Sequence, residues 1–396
     1  MTAAHRPRQQ EPAPDGPLGV PRYGTASLAD LGPSVLASLG VPGEANVLGL
    51  APARRACVLL VDGLGWEALL ANRGHAPFLA SLLEAAATPI TSGFPSTTAT
   101  SLATFGTGAA PGGHGVFGYQ VALPHDGTVF NHLRWSADVD PVVWQPHRTT
   151  YQRAEAAGVA TAYIAAGAYE GGGFTRASAR GSRYVPADTA TELVVGAEAA
   201  LSAHERAYLF VYHSELDLFG HLYGVDSPHW RHHLGQVDRL AEQLASVLPA
   251  DAVLYVTADH GMVDTGPHSR IDVEGDPDLA EGVRVLAGEP RARQVYTRPG
   301  AETDVLAAWR ERLAGRATVV SRAEAVESGW FGPAHTVNRD LLPRVGDVLA
   351  VARGDTALVA PAVERVESRL VGHHGSLTPQ ELHVPLLRTG PAGGLG

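Results

Sequence analysis

Three short runs of consecutive apolar residues occur along this chain, and polar residues follow each of them. The runs cover 56–61, 207–212 and 252–257 (ACVLLV, AYLFVY and AVLYVT). An uninterrupted apolar run of this length is typical of a strand buried on both faces of a parallel sheet. Apolar residues with helical spacing occur between them, over 66–83 and 227–248. Strands that alternate with helices predict an α/β fold with a mostly parallel central sheet flanked by helices.

The pattern changes after about residue 262, where arginine, glutamate and proline become more frequent and the apolar runs shorten. We interpret residues 263–343 as a smaller inserted α+β cap. The core is then formed by residues 23–262 and 344–396, and we expect it to resume with the apolar run DVLAVA at 347–352.

Two further segments depart from the alternation of strands and helices. Residues 1–22 are polar and rich in proline, which predicts a flexible tail. An insertion around 115–151 is rich in tryptophan, histidine and proline. We expect this insertion and the cap to supply the residues of a ligand pocket. Tyr119, Trp135 and Trp144 could stack on an aromatic ligand there, and packing in the core explains them equally well.

Composition narrows the possible classes of function. The chain has 396 residues, 45% of them hydrophobic, and a formal net charge of −11. No basic stripe offsets the acidic excess, which argues against nucleic-acid polymers and membrane surfaces as partners. The only cysteine, Cys57, cannot form an internal disulfide. No run reaches the roughly 18 to 20 apolar residues of a membrane span, and no signal-peptide pattern is present, so we expect a cytoplasmic protein.

Residues that can bind divalent cations lie at or beyond the ends of likely strands, or in turns. Because ligands gather at the carboxyl ends of parallel strands, distant positions could converge there. Three carboxylates, three imidazoles and one hydroxyl could hold two cations and a nucleophile, which is the apparatus of phosphoryl transfer. The candidates are Asp62, Thr98, Asp217, His221, Asp259, His260 and His374.

The residues by themselves leave several alternatives open. An Asp after a strand is also a common turn former or helix cap. Asp217 and His221 would share one face of a helical turn, but this spacing also occurs by chance. Spacing does not choose between the neighbours His373 and His374. It does not choose among the five hydroxyl residues of 96–101 either, which could form an ordinary N-cap cluster before a helix. His114 is a further ligand candidate, although a structural role in its loop explains it better.

Five motifs occur in a fixed order along the chain. They are Val61-Asp62-Gly63; Pro95-Ser-Thr-Thr98 followed by Thr107-Gly108, Pro111 and His114-Gly115; Asp217-x-x-x-His221; Asp259-His260-Gly261-Met262; and His374-Gly375. In this order and spacing, the chain resembles the alkaline phosphatase superfamily, and within it the type I phosphodiesterase/nucleotide pyrophosphatase family. The resemblance covers about 56–387. It selects Thr98 among the hydroxyl residues and His374 of the two neighbouring histidines.

The resemblance implies an alkaline-phosphatase-like core and two zinc ions. One ion would be held by Asp217, His221 and His374, and the other by Asp62, Asp259 and His260, with Thr98 bridging towards the second. Thr98 would be the nucleophile, and hydrolysis would pass through a phospho-threonine. Neither set of ligands contains cysteine, which suits metal ions that share their coordination shell with phosphate oxygens.

One position departs from the family pattern. Nucleotide pyrophosphatases usually carry Asn three residues after the nucleophile, where it contacts phosphate oxygen, and this chain has Ser101 there. We therefore expect a phosphodiesterase or nucleotide pyrophosphatase acting on a small phosphodiester or nucleotide-like substrate, with Ser101 as a candidate substrate contact. The alternatives are a phosphomonoesterase or phosphonate hydrolase with the same metal site, and a non-catalytic metal-binding interaction protein. The sequence does not indicate an oligomeric state.

Overall fold

The structure is a computed structural model that describes residues 18–83 and 89–390. Most of the predicted tail, residues 1–17, therefore lies outside the described residues. The end of that predicted segment contacts the core. The N–H of Gly19 donates to the Leu377 carbonyl at 2.8 Å. The N–H of Arg22 donates to Oγ1 of Thr91, also at 2.8 Å.

Strands and helices alternate along the first two thirds of the described chain. The strands are β1 (Arg55–Val61), β2 (Ile90–Thr91), β3 (Gln120–Ala122), β4 (Val129–Asn131), β5 (Ala160–Ala165), β6 (Arg183–Pro186), β7 (Ala207–His213), β8 (Ala252–Thr257), β9 (Val263–Asp264), β10 (Arg270–Asp272), β11 (Val283–Glu289), β12 (Ala292–Thr297), β13 (Ala317–Ser321), β14 (Val348–Ala352), β15 (Ala357–Val359), β16 (Gly372–His373), β17 (His383–Val384) and β18 (Leu386–Thr389).

The α-helices are distributed among these strands. They are α1 (Leu28–Ser38), α2 (Trp66–Ala71), α3 (Pro77–Leu83), α4 (Thr98–Thr107), α5 (Pro111–His114), α6 (Pro141–Trp144), α7 (Thr150–Ala156), α8 (Gly173–Ser178), α9 (Ala190–Ser202), α10 (Glu215–Tyr223), α11 (Pro228–Val247), α12 (Pro277–Ala280), α13 (Glu302–Arg312), α14 (Arg322–Glu327) and α15 (Pro379–Leu382). Short 3₁₀ helices cover Arg73–His75, Gly167–Tyr169, Pro267–Ser269, Ala334–Thr336, Arg339–Arg344 and Glu367–Arg369.

The three apolar runs form neighbouring strands in the middle of one six-stranded sheet, with the order β18-β8-β1-β7-β5-β6. All neighbours are parallel except β18, which runs antiparallel to β8. Leu59 lies beside Val211 and Val256, and all three side chains are fully buried. This burial is why the runs lack the polar alternation of a half-exposed strand. The predicted mostly parallel α/β core is confirmed.

Two predicted helices have different outcomes. The segment predicted as a helix over 227–248 forms α11, which is one long helix. The segment 66–83 is instead divided into α2, a 3₁₀ turn and α3. Pro77 begins α3, and Ala76 before it has φ −136° and ψ 67°. Proline disfavours the helical conformation of the residue before it, so the helix ends and restarts there.

A four-stranded antiparallel sheet with the order β11-β12-β14-β13 forms a second structural layer. Its strand β14 is the run at 348–352 with which we expected the core to resume. β14 instead pairs with β12 and β13. An apolar run specifies burial and length but not the partner strand, so the expectation for this strand was wrong. Among the described residues, no helix combines the length and apolar character that crossing a membrane requires.

Candidate active site

The ends of three neighbouring strands bring the candidate residues together. β1 pairs with β7 on one side and with β8 on the other. Asp62 follows β1 directly, Asp259 follows β8 after one residue, and Asp217 lies in the first turn of α10 after β7. Because the three strands are parallel, their carboxyl ends share one edge of the sheet. The predicted convergence at this edge is confirmed.

The first cluster contains Asp62, Asp259, His260 and Thr98, which are all buried. Nε2 of His260 lies 3.4 Å from Oδ1 of Asp62 and 3.4 Å from Oδ2 of Asp259. The Thr98 hydroxyl is 3.3 Å from the same nitrogen and 3.5 Å from Oδ2 of Asp62. The N–H of Gly63 donates to Oδ1 of Asp259 at 3.1 Å and orients that carboxylate.

The second cluster contains Asp217, His221 and His374. Asp217 and His221 share one face of α10, as their spacing predicts, with Nε2 of His221 3.2 Å from Oδ2 of Asp217. Nε2 of His374 lies 3.8 Å from Oδ1 of Asp217. The His374 ring stacks on His260, with centroids 3.6 Å apart, so the two clusters adjoin. His260 is also close enough to Asp217 and His374 to share one cation with them.

All three imidazoles present the same nitrogen to the centre of the site. The Nδ1 atoms of His221, His260 and His374 lie 2.8, 3.0 and 3.0 Å from the carbonyls of Gly372, Gly261 and Ser96. A carbonyl only accepts, so each Nδ1 carries a proton, and Nε2 is the ring nitrogen that faces the site. This orientation by the backbone is the usual support for a metal-binding histidine.

The carboxylates also fit bound cations. Oδ1 of Asp62, Oδ1 of Asp217 and Oδ2 of Asp259 are buried and have no hydrogen-bond partner among the described residues. A buried carboxylate oxygen without a partner is costly, and a metal ion would satisfy it. Burial, together with the charges of Asp259 and Asp217, raises the pKa of Asp62 well above its usual value. Burial raises the pKa of Asp259 as well. A cation would reverse this effect and restore both charges.

Asp217 behaves differently from the other two carboxylates. Burial would raise its pKa, but the His221 imidazole, with help from His374 and His260, outweighs burial and holds the pKa of Asp217 below its usual value. Burial would lower the pKa of His221, but the charge of Asp217 and the contact with it outweigh burial and raise that pKa.

Thr98 begins α4, as the run of small residues after it predicts, and Thr97 is the N-cap. The first N–H groups of a helix have no partner within the helix, so they can bind an anion at this end. Ser101 lies in the next turn and is fully buried. Its hydroxyl has no hydrogen-bond partner among the described residues, and Ser101 does not line the cavity beside Thr98.

Two histidines that the sequence left as candidates already use both ring nitrogens. His373 contacts Oγ1 of Thr265 at 2.8 Å and the Glu367 carbonyl at 2.9 Å. His114 accepts from the N–H of Val116 at 3.1 Å and contacts Oγ1 of Thr104 at 3.0 Å. Neither ring has a nitrogen left for a metal ion, so both histidines have structural roles.

A cavity of about 500 Å³ opens beside Thr98. The predicted insertion supplies Leu133 and Trp135 to its lining, and the segment 168–175 supplies six more residues. None of its lining residues comes from 263–343, so the expectation that the cap contributes to the pocket was wrong. The sequence analysis missed the segment 168–175 because a glycine-rich connection carries no recognisable motif. It also missed Tyr212, which lies at the end of an apolar run.

A third group of potential metal ligands is formed by His213, Glu215 and His233. The two Nε2 atoms are 2.9 Å apart, the ring centroids are 5.1 Å apart, and the ring planes differ by 6°. These values place the rings head to head in one plane, as in an N–H···N hydrogen bond. The two nitrogens therefore point at each other and do not converge on a cation.

The geometry agrees with a comparison to protein families. The model of the type I phosphodiesterase/nucleotide pyrophosphatase family matches residues 56–377. The chain belongs to this family. It is accordingly a hydrolase of phosphoester bonds, and the family is metal-dependent. Membership explains why the family motifs fall at the ends of adjacent strands. No curated protein sequence matches the chain.

Solved structures of other proteins share the fold. Murine ectonucleotide pyrophosphatase/phosphodiesterase 5 is 21% identical, with a TM-score of 0.66 over 85% of this chain and 88% of that chain. The human form is 20% identical, with the same TM-score and the same coverage. Phosphonoacetate hydrolase from Sinorhizobium meliloti 1021, in complex with phosphonoformate, is 19% identical, with a TM-score of 0.64 over 87% and 92%. The alkaline-phosphatase-like fold is confirmed.

Proposed function

We propose that this protein is a phosphodiesterase or nucleotide pyrophosphatase that uses Thr98 as its nucleophile and two divalent cations, zinc ions, as cofactors. Asp62, Asp259 and His260 would hold one ion, with Thr98 bridging towards it. Asp217, His221 and His374 would hold the other. The observation that carries the proposal is that three imidazole Nε2 atoms and three unpartnered carboxylate oxygens lie in two adjoining clusters, one of which contains the buried Thr98 hydroxyl.

The ions, when bound, would lower the pKa of the Thr98 hydroxyl and stabilise negative charge on the phosphoryl and leaving oxygens. In the first step, Oγ1 of Thr98 bonds to phosphorus while the bond to the leaving oxygen breaks. In the second step, water bonds to phosphorus, the bond to Thr98 breaks, and the hydroxyl returns. The free N–H groups at the start of α4 would donate to the phosphoryl oxygens in both steps.

Two comparisons support this proposal and name its closest rival. A variant of the murine relative with threonine replaced by alanine is described as inactive and in complex with AMP. Its replaced residue is of the same type as Thr98. The fold is also similar to that of a phosphonoacetate hydrolase. The second candidate for the same metal site is therefore hydrolysis of a phosphonate or of a phosphomonoester.

The test compares hydrolysis of bis(p-nitrophenyl) phosphate, p-nitrophenyl phosphate and phosphonoacetate by the zinc-loaded protein. We expect the diester to have the highest kcat/KM. Thr98→Ala should lower kcat by roughly three orders of magnitude or more, because a nucleophile has no substitute. Thr98→Ser, which keeps a hydroxyl, should retain measurable turnover.

Metal analysis of the same samples separates loss of the nucleophile from loss of the site. We expect about two metal ions per chain in the wild-type protein and in Thr98→Ala, because six other ligands remain. Full activity of Thr98→Ala would show that Thr98 is not the nucleophile. Active protein free of divalent cations would contradict the whole scheme.

We also propose that the substrate is a small phosphodiester or nucleotide-like molecule and that the protein is cytoplasmic.

A further inference from the structure

The cavity beside Thr98 has an apolar wall in addition to the metal-binding residues of its lining. The residues of this wall are Leu102, Leu133, Trp135, Tyr169, Phe174 and Leu218. The cavity has a volume of about 500 Å³, which falls within the range of small-molecule sites. Leu102 lies one helical turn after Thr98 on α4, so the wall begins beside the nucleophile. A leaving group departs on the side of phosphorus opposite Thr98, so the wall faces the group that stays bonded to phosphorus.

The wall is pre-formed, because Trp135 is held in place by its neighbours. Its ring packs edge-on against Phe130, with centroids 5.0 Å apart. The backbone of Gly173 lies directly against the indole, where any Cβ would come within 2.2 Å of the ring. The indole N–H donates to the Val139 carbonyl at 2.7 Å. Trp135 can therefore offer a ligand only the surface of its ring.

Two other polar side chains in the cavity also have partners within the protein. The Thr175 hydroxyl donates to the Tyr169 carbonyl at 2.7 Å. The Tyr212 hydroxyl donates to Oδ2 of Asp62. Reading the edge of a nucleobase requires free donors and acceptors, because the discrimination comes from hydrogen bonds that only the right base can make. These two groups are not free to do so, and outside the proposed metal-binding residues the other polar side chains of the lining are only the hydroxyls of Tyr163, Tyr169 and Ser214, without an amide or a charged group.

The lining also lacks a cationic side chain that could bind a second phosphate. The chain contains no lysine, and none of the cavity residues in its described part is an arginine. Arg134 and Arg176 are neighbours of lining residues in the sequence, but both are exposed and neither lines the cavity. A polyphosphate chain would need such groups to offset its charge.

We infer that the cavity binds an uncharged apolar group, alkyl or aryl, that stays bonded to phosphorus during the reaction. This inference rests on the proposed function and specifies its substrate: a singly charged phosphodiester or phosphonate monoester with an apolar substituent. The wall supplies contact area and excludes water, while the metal-binding residues bind the phosphoryl oxygens.

The test uses p-nitrophenyl phosphodiesters that share one leaving group and differ in the retained group: ethyl, butyl, hexyl, phenyl and carboxymethyl. Because the leaving group is constant, differences in kcat/KM report the retained group. We expect a rise of about fourfold per added methylene while the chain fits the cavity. The carboxymethyl ester should be the poorest substrate. Equal rates for ethyl and hexyl esters, or a preference for carboxymethyl, would overturn the inference.

Two leucines on α10 provide a matched pair of variants. Leu218 and Leu222 are 51% and 48% exposed, and Leu218 alone of the two lines the cavity. We expect Leu218→Ala to lower the hexyl-to-ethyl ratio of kcat/KM about tenfold. Leu222→Ala should leave that ratio unchanged. Equal effects of the two variants would show that the apolar group binds elsewhere.

Binding of alkylphosphonates separates a failure of this inference from a failure of the proposed function. Hexylphosphonate should bind the zinc-loaded protein at least tenfold more tightly than ethylphosphonate in isothermal titration calorimetry, and this needs no turnover. Tighter hexyl binding without p-nitrophenol release from any ester would contradict the proposed reaction but support the apolar site. Equal binding would overturn the inference even if the diesters are hydrolysed.

Discussion

The hydroxyl of Tyr212 donates a hydrogen bond to Oδ2 of Asp62, so the end of β7 holds the carboxylate that follows β1. Tyr212 also lines the cavity, where its ring packs edge-on against Tyr169 with centroids 6.1 Å apart. One side chain thus joins the proposed metal site to the proposed substrate wall. We expect Tyr212 to act as a positioning residue.

Tyr212→Phe should weaken metal binding and keep the fold. The variant removes only the hydroxyl, so Asp62 loses the donor that fixes its orientation. Loss of such a supporting hydrogen bond typically lowers metal affinity by about 10- to 100-fold. Titration of zinc against a competing chelator measures the change. Tyr208→Phe is the matched control, because Tyr208 lies on the same strand but packs against Tyr151 and Phe105 in the core. Equal losses in both variants would show that the effect is not specific to Asp62.

Removing divalent cations should lower stability as well as activity. A chelator leaves the buried oxygens of Asp62, Asp217 and Asp259 without partners. A ligand present at 100 times its Kd stabilises the folded state by about 2.7 kcal/mol, so the melting temperature should fall on chelation and recover when zinc is added back. Differential scanning calorimetry with and without chelator measures this change. An unchanged melting temperature together with full turnover would argue against a resident cation.

The buried ion pair of Arg291 with Glu381 should contribute strongly to the integrity of the fold. Both side chains are fully buried, and the guanidinium binds both carboxylate oxygens, at 3.1 and 2.6 Å. Glu381 also accepts from the N–H of Ser376 at 3.0 Å. The pair therefore joins the turn between β11 and β12 to the segment that carries His374. Arg291→Met leaves a buried charge unpaired, which typically costs about 3 to 5 kcal/mol of unfolding free energy. Urea denaturation measures the loss.

An exposed ion pair provides the comparison for Arg291. Arg310 and Glu324 are 2.8 Å apart, and both side chains are 46% exposed. Arg310→Met should cost less than about 1 kcal/mol, because water solvates the remaining carboxylate. Arg291→Met combined with Glu381→Leu should recover part of the lost stability, because neither charge is then left unpaired. If the two arginine variants cost the same, burial of the pair does not govern its contribution.

Stability should depend on pH through Glu289, at the end of β11. The side chain is buried, and its Oε2 accepts from the N–H of Tyr119 at 3.2 Å. Burial raises the pKa of Glu289 to about 8, against the opposing effects of the Tyr119 N–H and Arg293, with smaller contributions from Glu364 and Glu381. Between about pH 4.5 and 8 the folded state keeps a proton that the unfolded state has lost, so the free energy of unfolding falls as pH rises.

Glu289→Gln removes this titration and should therefore stabilise the protein at pH 8.5 more than at pH 4.5. Each unit of difference between the folded and unfolded pKa corresponds to about 1.4 kcal/mol, which makes the effect measurable by chemical denaturation at the two pH values. Glu311→Gln, an exposed position on α13, serves as the control for the change in charge. A gain that is equal at both pH values, or equal in both variants, would contradict a buried titrating carboxyl.

Local sequence predicted much of the proposed metal site. Continuous apolar runs identified β1, β7 and β8, because a strand buried on both faces has no polar alternation to obscure it. The spacing of Asp217 and His221 predicted a shared helical face, and Thr98 was expected at a helix start. These features depend on residues that are close in the chain, so a sequence pattern is sufficient to reveal them.

Long-range contacts decided the rest. The two neighbouring histidines differ in their contacts, since both nitrogens of His373 are already used while Nε2 of His374 lies near Asp217. The wall formed by 168–175 and the pairing of β14 with β12 and β13 had no sequence signal.

The sequence by itself determined the three central strands, the family motifs and the membership of a phosphoester hydrolase family. Only the tertiary structure decided which strands are neighbours, which surfaces line the cavity, and that these surfaces are apolar. The physical reason is that an apolar run specifies that a segment is buried, whereas the partner that buries it is chosen by packing and hydrogen bonding between segments far apart in the chain.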